Sequence, residues 1–228
     1  MWLRWLLLVA IAVALGVWWY RTAAPSVRVA TSDADLNAAR RFLASDADGF
    51  VATFTDADYH ARGTAADRRN YSAMAAGGVR APTPLELGRL RAALARTSSP
   101  VSATIVVVAT NYEGGLPHTR GAYIFVSPLV LSSPGLAQVL DHELTHIAQR
   151  FRPADARSWA TAHGYVLRRD RGRHPLSRAN PDLDGAQWDG PNGAPVAFIY
   201  RGPRPINLTD GETIGGKYEH PYEAQAYG

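Results

Sequence analysis

The sequence predicts an α+β fold: an N-terminal membrane helix, then a domain with a small, mostly antiparallel sheet and one helix carrying paired histidines. Three observations predict it. Residues 5–20 hold no charged side chain. Two apolar, β-branched runs, 101–111 and 122–127, flank the turn-forming stretch "YEGGLPHTRG". A leucine-spaced segment over about 134–151 places His142 and His146 four residues apart.

Composition bounds the rest. The chain has 228 residues, 46% hydrophobic and 19% charged, which suits one globular domain with an appendage and excludes a disordered chain. There is no cysteine, so disulfides and thiolate metal sites are excluded. Any metal site must use His, Asp and Glu. The net charge is +4, and Lys217 is the single lysine among 24 basic residues. The densest basic stretch, "LRRDRGRH" with Arg168, Arg169, Arg171 and Arg173, lacks interleaved aromatics. It reads as a solvated loop, and no nucleic-acid partner is expected.

From the N-terminus, Trp5 to Tyr20 lies between Arg4 and Arg21. At 1.5 Å per residue these 16 residues span roughly 24 Å, and Trp2 and Leu3 extend them towards the ~30 Å of a hydrocarbon core. Trp2, Trp5, Trp18, Trp19 and Tyr20 sit at the two ends, as an interfacial belt does. Residues 1–24 are therefore expected to be a single-pass anchor. The weak small-residue site in "RTAAP" makes a cleaved signal peptide the alternative. The amino-terminal charge on the short leading end favours a domain outside the cytoplasm.

Residues 25–100 read as a helical region. "TSDADLNAARRFLASD" (31–46) has capping residues at its start and an apolar stripe of Leu36, Ala39, Phe42 and Leu43. A helix across about 56–75 is expected next, then a clearer one at 84–99 with Pro84 near its start and Leu87, Leu90 and Leu94 on one side. Beyond 100 the runs "VSATIVVVATN" and "AYIFVS" read as an antiparallel hairpin. Ser133 and Pro134 are expected to cap the next helix. "PADARSWATAHG" reads as a helix anchored by Trp159, and "APVAFIYRG" (194–202) as a strand. The loop between them belongs to a substrate cleft or packs through Trp188 and Tyr200.

On the 134–151 helix, Leu136, Leu140, Leu144, Ile147 and Phe151 form one apolar face. His142 and His146 project together from another, with Glu143 one step round and Gln149 nearby. That spacing lets both imidazoles reach one Zn²⁺ while the Glu143 carboxylate sits beside an activated water.

The stretch "HELTH" resembles the zincin metallopeptidases, over 101–228. The resemblance implies that Glu143 is the general base and that "AYIFVS" pairs with an extended peptide or protein substrate. A third ligand is then needed. A metzincin arrangement would require His at 152 and Gly at 149, where this chain has Arg152 and Gln149. A thermolysin-like arrangement would require a glutamate some two dozen residues on. The next glutamate after Glu143 is Glu212, and Asp155 and Asp170 read as a helix start and a loop residue.

The candidates are Glu212, Glu219, His220 and Glu223. "HPYEAQAYG" reads as the start of a helix, and Glu223 with Ala226 resembles the E-x-x-A pattern of gluzincin-like proteins. Glu223 is therefore the expected third ligand, 77 residues after His146, with Glu219 or His220 as alternatives. Tyr227, Tyr218 and His220 are candidate donors to a developing oxyanion. The expected function is a membrane-anchored zinc peptidase. A non-catalytic zincin-like domain for binding or assembly at a membrane is the alternative.

Overall fold

The computed structural model describes residues 26–98, 101–169 and 172–228. The expected membrane segment lies outside these residues, as do Asp170 and Arg171. Among the described residues no helix is long and apolar enough to cross a membrane.

The first strand, β1 (Val27–Val29), leads into α1 (Asp33–Ala44), whose cap Ser32 accepts the Asp35 N–H. Capping boxes at Thr55/Asp58 and Thr83/Glu86 then open α2 (Asp56–Ala61) and α4 (Pro84–Leu94). Between them lies α3 (Asn70–Gly77). The single helix expected over 56–75 is thus two. Arg62 leaves helical geometry and Gly63 turns the chain at φ +69, a conformation glycine adopts without steric cost.

The sheet expected to be mostly antiparallel is mixed. Its strands β2 (Ala103–Val107), β3 (His118–Arg120) and β4 (Tyr123–Val126) join β1 in the order β1-β2-β4-β3. β1 pairs with β2, and β2 with β4, in parallel, with Ile105 opposite Ile124. The hairpin partner of β4 is β3, with Thr119 opposite Ile124. The polar run His-Thr-Arg carries no apolar alternation, so it reads as turn in the sequence. A two-residue turn with Gly121 at φ +56 joins β3 to β4, and a Cβ there would meet the Phe42 ring at 3.0 Å. Because β1 belongs to this sheet, regions 25–100 and 101–228 share one core.

After β4 come α5 (Pro128–Leu131), the motif helix α6 (Leu136–Phe151) and α7 (Pro153–Ala162). α6 starts two residues later than Ser133/Pro134 predict, capped by Gly135, whose N–H reaches Ser133 Oγ. Leu136, Leu140, Leu144 and Ile147 of α6 pack on Ile105, Val107, Ile124 and Val126 of the sheet. Truncating Leu140, which is fully buried, would cost about 2–5 kcal/mol. Phe151 departs from the expected stripe and is exposed, because the chain turns into α7 at Arg152.

A second, all-antiparallel sheet follows in the order β5 (Val166–Leu167), β6 (Trp188–Asp189), β7 (Pro195–Tyr200), β8 (Gly211–Ile214). Trp188 and Tyr200 are buried in its packing, and Trp159 is half-buried against Trp188. The last helix, α8 (Pro221–Ala226), lies against α6 and α7.

Candidate metal centre

The amphipathic stripe of α6 dictates where its histidines go. With the leucines turned to the sheet, His142 and His146 face α8. Their Nε2 atoms lie 3.0 Å apart, His146 fully buried and His142 largely so. α8 begins at His220, whose Nδ1 accepts the Tyr222 N–H, and Pro221 fixes the first turn. This start puts Glu223 Oε2 at 3.4 Å from His142 Nε2 and 3.7 Å from His146 Nε2. The three residues form the one His/Cys/Asp/Glu group among the described residues that could hold a metal ion.

The donor set fits zinc. Ligand atoms about 2.0–2.1 Å from a tetrahedral ion lie about 3.3 Å from one another. The three separations here, 3.0, 3.4 and 3.7 Å, bracket that value. Two imidazoles and one carboxylate leave a fourth position, as catalytic zinc sites do. The three side chains also pair electrostatically with one another. Burial pushes the Glu223 carboxyl up, but bonding to His142 and His146 outweighs it and holds the group well below the carboxylate range. Burial pulls His146 down, and the Glu223 contact overcomes it, raising the imidazole to about 9.

The other candidates go elsewhere. Glu219 bonds Arg178 at 2.5 Å and Asn180 at 2.9 Å. His220 caps α8 and faces Asp184 at 3.5 Å. Glu212 is exposed on β8, and Asp155 lies in the first turn of α7. Two further residues hold the site together. Asn180 Nδ2 donates to Glu223 Oε1 at 3.0 Å, and Gln149 contacts both His146 and α8. The proximity of Gln149 is legible from helical spacing. Asn180 sits in an irregular loop and carries no sequence signal.

A cleft of about 500 Å³ opens over the centre. Glu143 lines it beside His142, with Asp182, Tyr218 and Tyr227. Glu143 is 2% exposed, and its Oε2 has no hydrogen-bond partner among the described residues. Burial, then the Asp182 charge, pushes its carboxyl well above the usual range. Of the three candidate oxyanion donors, Tyr218 and Tyr227 line this cleft, and their rings stack 5.2 Å apart. His220 lines a different cleft, with Asp184 and Arg178.

The strand expected to receive substrate does not have an edge to offer. β4 is paired on both sides, by β2 and β3. The outer strand beside β4 is β3, and its backbone is occupied at Thr119. The Thr119 N–H donates to Asp182 Oδ1 at 2.6 Å, and its carbonyl accepts from Arg150 at 3.4 Å.

A buried polar hub fixes the loop that carries Ala179, Asn180 and Asp182. Arg62 binds both oxygens of Glu113 at 2.8 Å and the Ala179 carbonyl at 2.9 Å. Asp58 accepts the Ala179 N–H and the Tyr200 hydroxyl. Arg173 of the basic stretch also bonds Asp58, and Arg168 pairs with Asp189, so both are engaged within the fold. The 25–100 region thereby braces one wall of the cleft.

No family model matches the chain, and neither a curated protein nor a solved structure does.

Proposed function

We propose that this chain is a zinc metallopeptidase of zincin type, gluzincin-like in drawing its third ligand, Glu223, from a distant helix. The observation that carries the reading is the convergence of three ligand atoms within 3.0–3.7 Å, two of whose residues, His142 and Glu223, line one cleft with Glu143. Anchoring through residues 1–24, with the domain outside the cytoplasm, is part of the same proposal and rests on the sequence.

When bound, zinc supplies Lewis acidity, polarising a carbonyl and lowering the pKa of a water. Glu143 takes a proton from the attacking water and returns it to the leaving amine. Its Oε2 has no hydrogen-bond partner among the described residues, which leaves that oxygen open to accept the proton. Tyr227 packs its ring 4.4 Å from that of His142. Burial, then the Glu223 charge, pushes its hydroxyl up, so it stays protonated and able to donate to a developing oxyanion. Leu116, Pro117, Val139 and Leu208 give the cleft an apolar lining for peptide side chains.

Glu143→Gln is the test. The variant should retain one zinc and lose peptide hydrolysis by at least about 100-fold. Undiminished cleavage contradicts the mechanism. Stoichiometric zinc in a wild-type protein that cleaves no member of a broad peptide library favours a binding module instead.

A further inference from the structure

Gln149 is 4% exposed, yet all its hydrogen bonds go to functional elements. Its Oε1 lies 2.8 Å from His146 Nδ1. Its Nε2 donates to the Tyr222 carbonyl at 2.9 Å and to Gln225 Oε1 at 3.0 Å. The two ends of one amide therefore meet two different ligand carriers. An amide oxygen only accepts, so His146 Nδ1 must be the donor in that contact. The ring is thereby oriented with Nε2 towards Glu223. At the other end, Tyr222 immediately precedes Glu223 in a helix of six residues. So short a helix has little stability of its own and depends on tertiary anchors.

We infer that Gln149 is a two-handed positioning residue: one amide orients His146 and clamps α8, and by holding both it helps keep Glu223 at the metal centre. This inference rests on the metal reading above. It also assigns a role to the position that distinguishes this chain from a metzincin pattern, which would have glycine there. Glycine could neither orient His146 nor hold a helix.

The test uses the full chain and two variants of similar side-chain length. Gln149→Met keeps the volume and removes both contacts. Gln149→Glu keeps an acceptor for His146 Nδ1 and loses the donor to Tyr222. Two quantities are measured: zinc affinity by chelator competition, and hydrogen exchange of the Ala224 and Tyr227 amides in metal-free protein. Gln149→Met should weaken zinc by about 10–100-fold and speed exchange in α8 at least about 10-fold. Gln149→Glu should recover part of the zinc affinity and none of the exchange protection.

A Glu223→Ala substitution should cost much less affinity on the Met background than on the wild type, because the two act through one element. Equal cost on both backgrounds overturns the inference. So does a change in only one of the two readouts for Gln149→Met, or recovered protection in Gln149→Glu. Zinc uptake by the wild type separates the two levels of failure: absence there sinks the metal reading itself.

Discussion

Asn180 Nδ2 lies 3.0 Å from Glu223 Oε1 although 43 residues separate them. The same nitrogen is 2.9 Å from Glu219 Oε1, and the Asn180 Oδ1 accepts the Asp182 N–H. A loop side chain thus holds the oxygen of Glu223 that the histidines do not face. Asn180→Ala should weaken zinc binding by about 10-fold or more, as loss of a ligand's hydrogen-bond partner does. Asn180→Asp should be worse, since it sets a third carboxylate against Glu219 and Glu223. Chelator competition measures both.

The Arg62–Glu113 pair predicts an acid-sensitive fold. Burial pushes the Glu113 carboxyl up, but Arg62 outweighs it and holds it below the ordinary value. Its folded pKa is therefore lower than the unfolded ~4.3. The sign follows: Glu113 contributes stability above about pH 4.3, lost as pH falls through the folded value. Melting temperature should drop below about pH 4, and Glu113→Gln should reduce that slope. At neutral pH the same variant should cost about 1–3 kcal/mol, because a charge-assisted pair is lost while Asp58 still faces Arg62 at 3.2 Å. Thermal melts from pH 3 to 8 check both.

Asp182 acts as a side-chain substitute for a missing strand. It accepts both the Thr119 N–H and the Thr119 hydroxyl, at 2.6 and 2.8 Å. Asp182→Ala leaves a buried backbone donor unpaired and should destabilise the protein by about 1–3 kcal/mol. Exchange of the Thr119 amide should accelerate by more than that of its β4 neighbours. Denaturant midpoints and residue-resolved exchange read these outcomes.

Tyr227→Phe should leave zinc affinity unchanged and lower kcat about 100-fold or more, the usual cost of removing one oxyanion donor. His220→Ala should instead loosen the α8 cap, raising amide exchange in that helix. Steady-state kinetics on the zinc-loaded variants separate the two effects.

The helices and the two-histidine face were legible because their periodicity is local. α1 and α4 follow from caps and apolar spacing, α6 from leucine spacing, and α7 from Asp155 at its start and Trp159 as its anchor. The direction of β2 relative to β4 was not. Nothing in an apolar strand records whether its neighbour runs parallel, and the polar β3 between them reads as turn. Glu223 was singled out because only three glutamates follow Glu143 and because Glu223 with Ala226 resembles the E-x-x-A pattern of gluzincin-like proteins. Asn180, Asp182 and Glu113 lie in irregular backbone, Glu113 at φ +46, and their roles depend on contacts made across the fold. A strand edge filled by an aspartate has no pattern in one dimension.

X-ray absorption at the zinc edge tests the central claim most directly. The full chain loaded with one equivalent of zinc should show four light-atom ligands at about 2.0–2.1 Å, two of them imidazoles. Glu223→Ala should change that shell while keeping both imidazoles. A six-coordinate oxygen shell, or a spectrum unchanged by His142→Ala, would contradict a centre built from His142, His146 and Glu223.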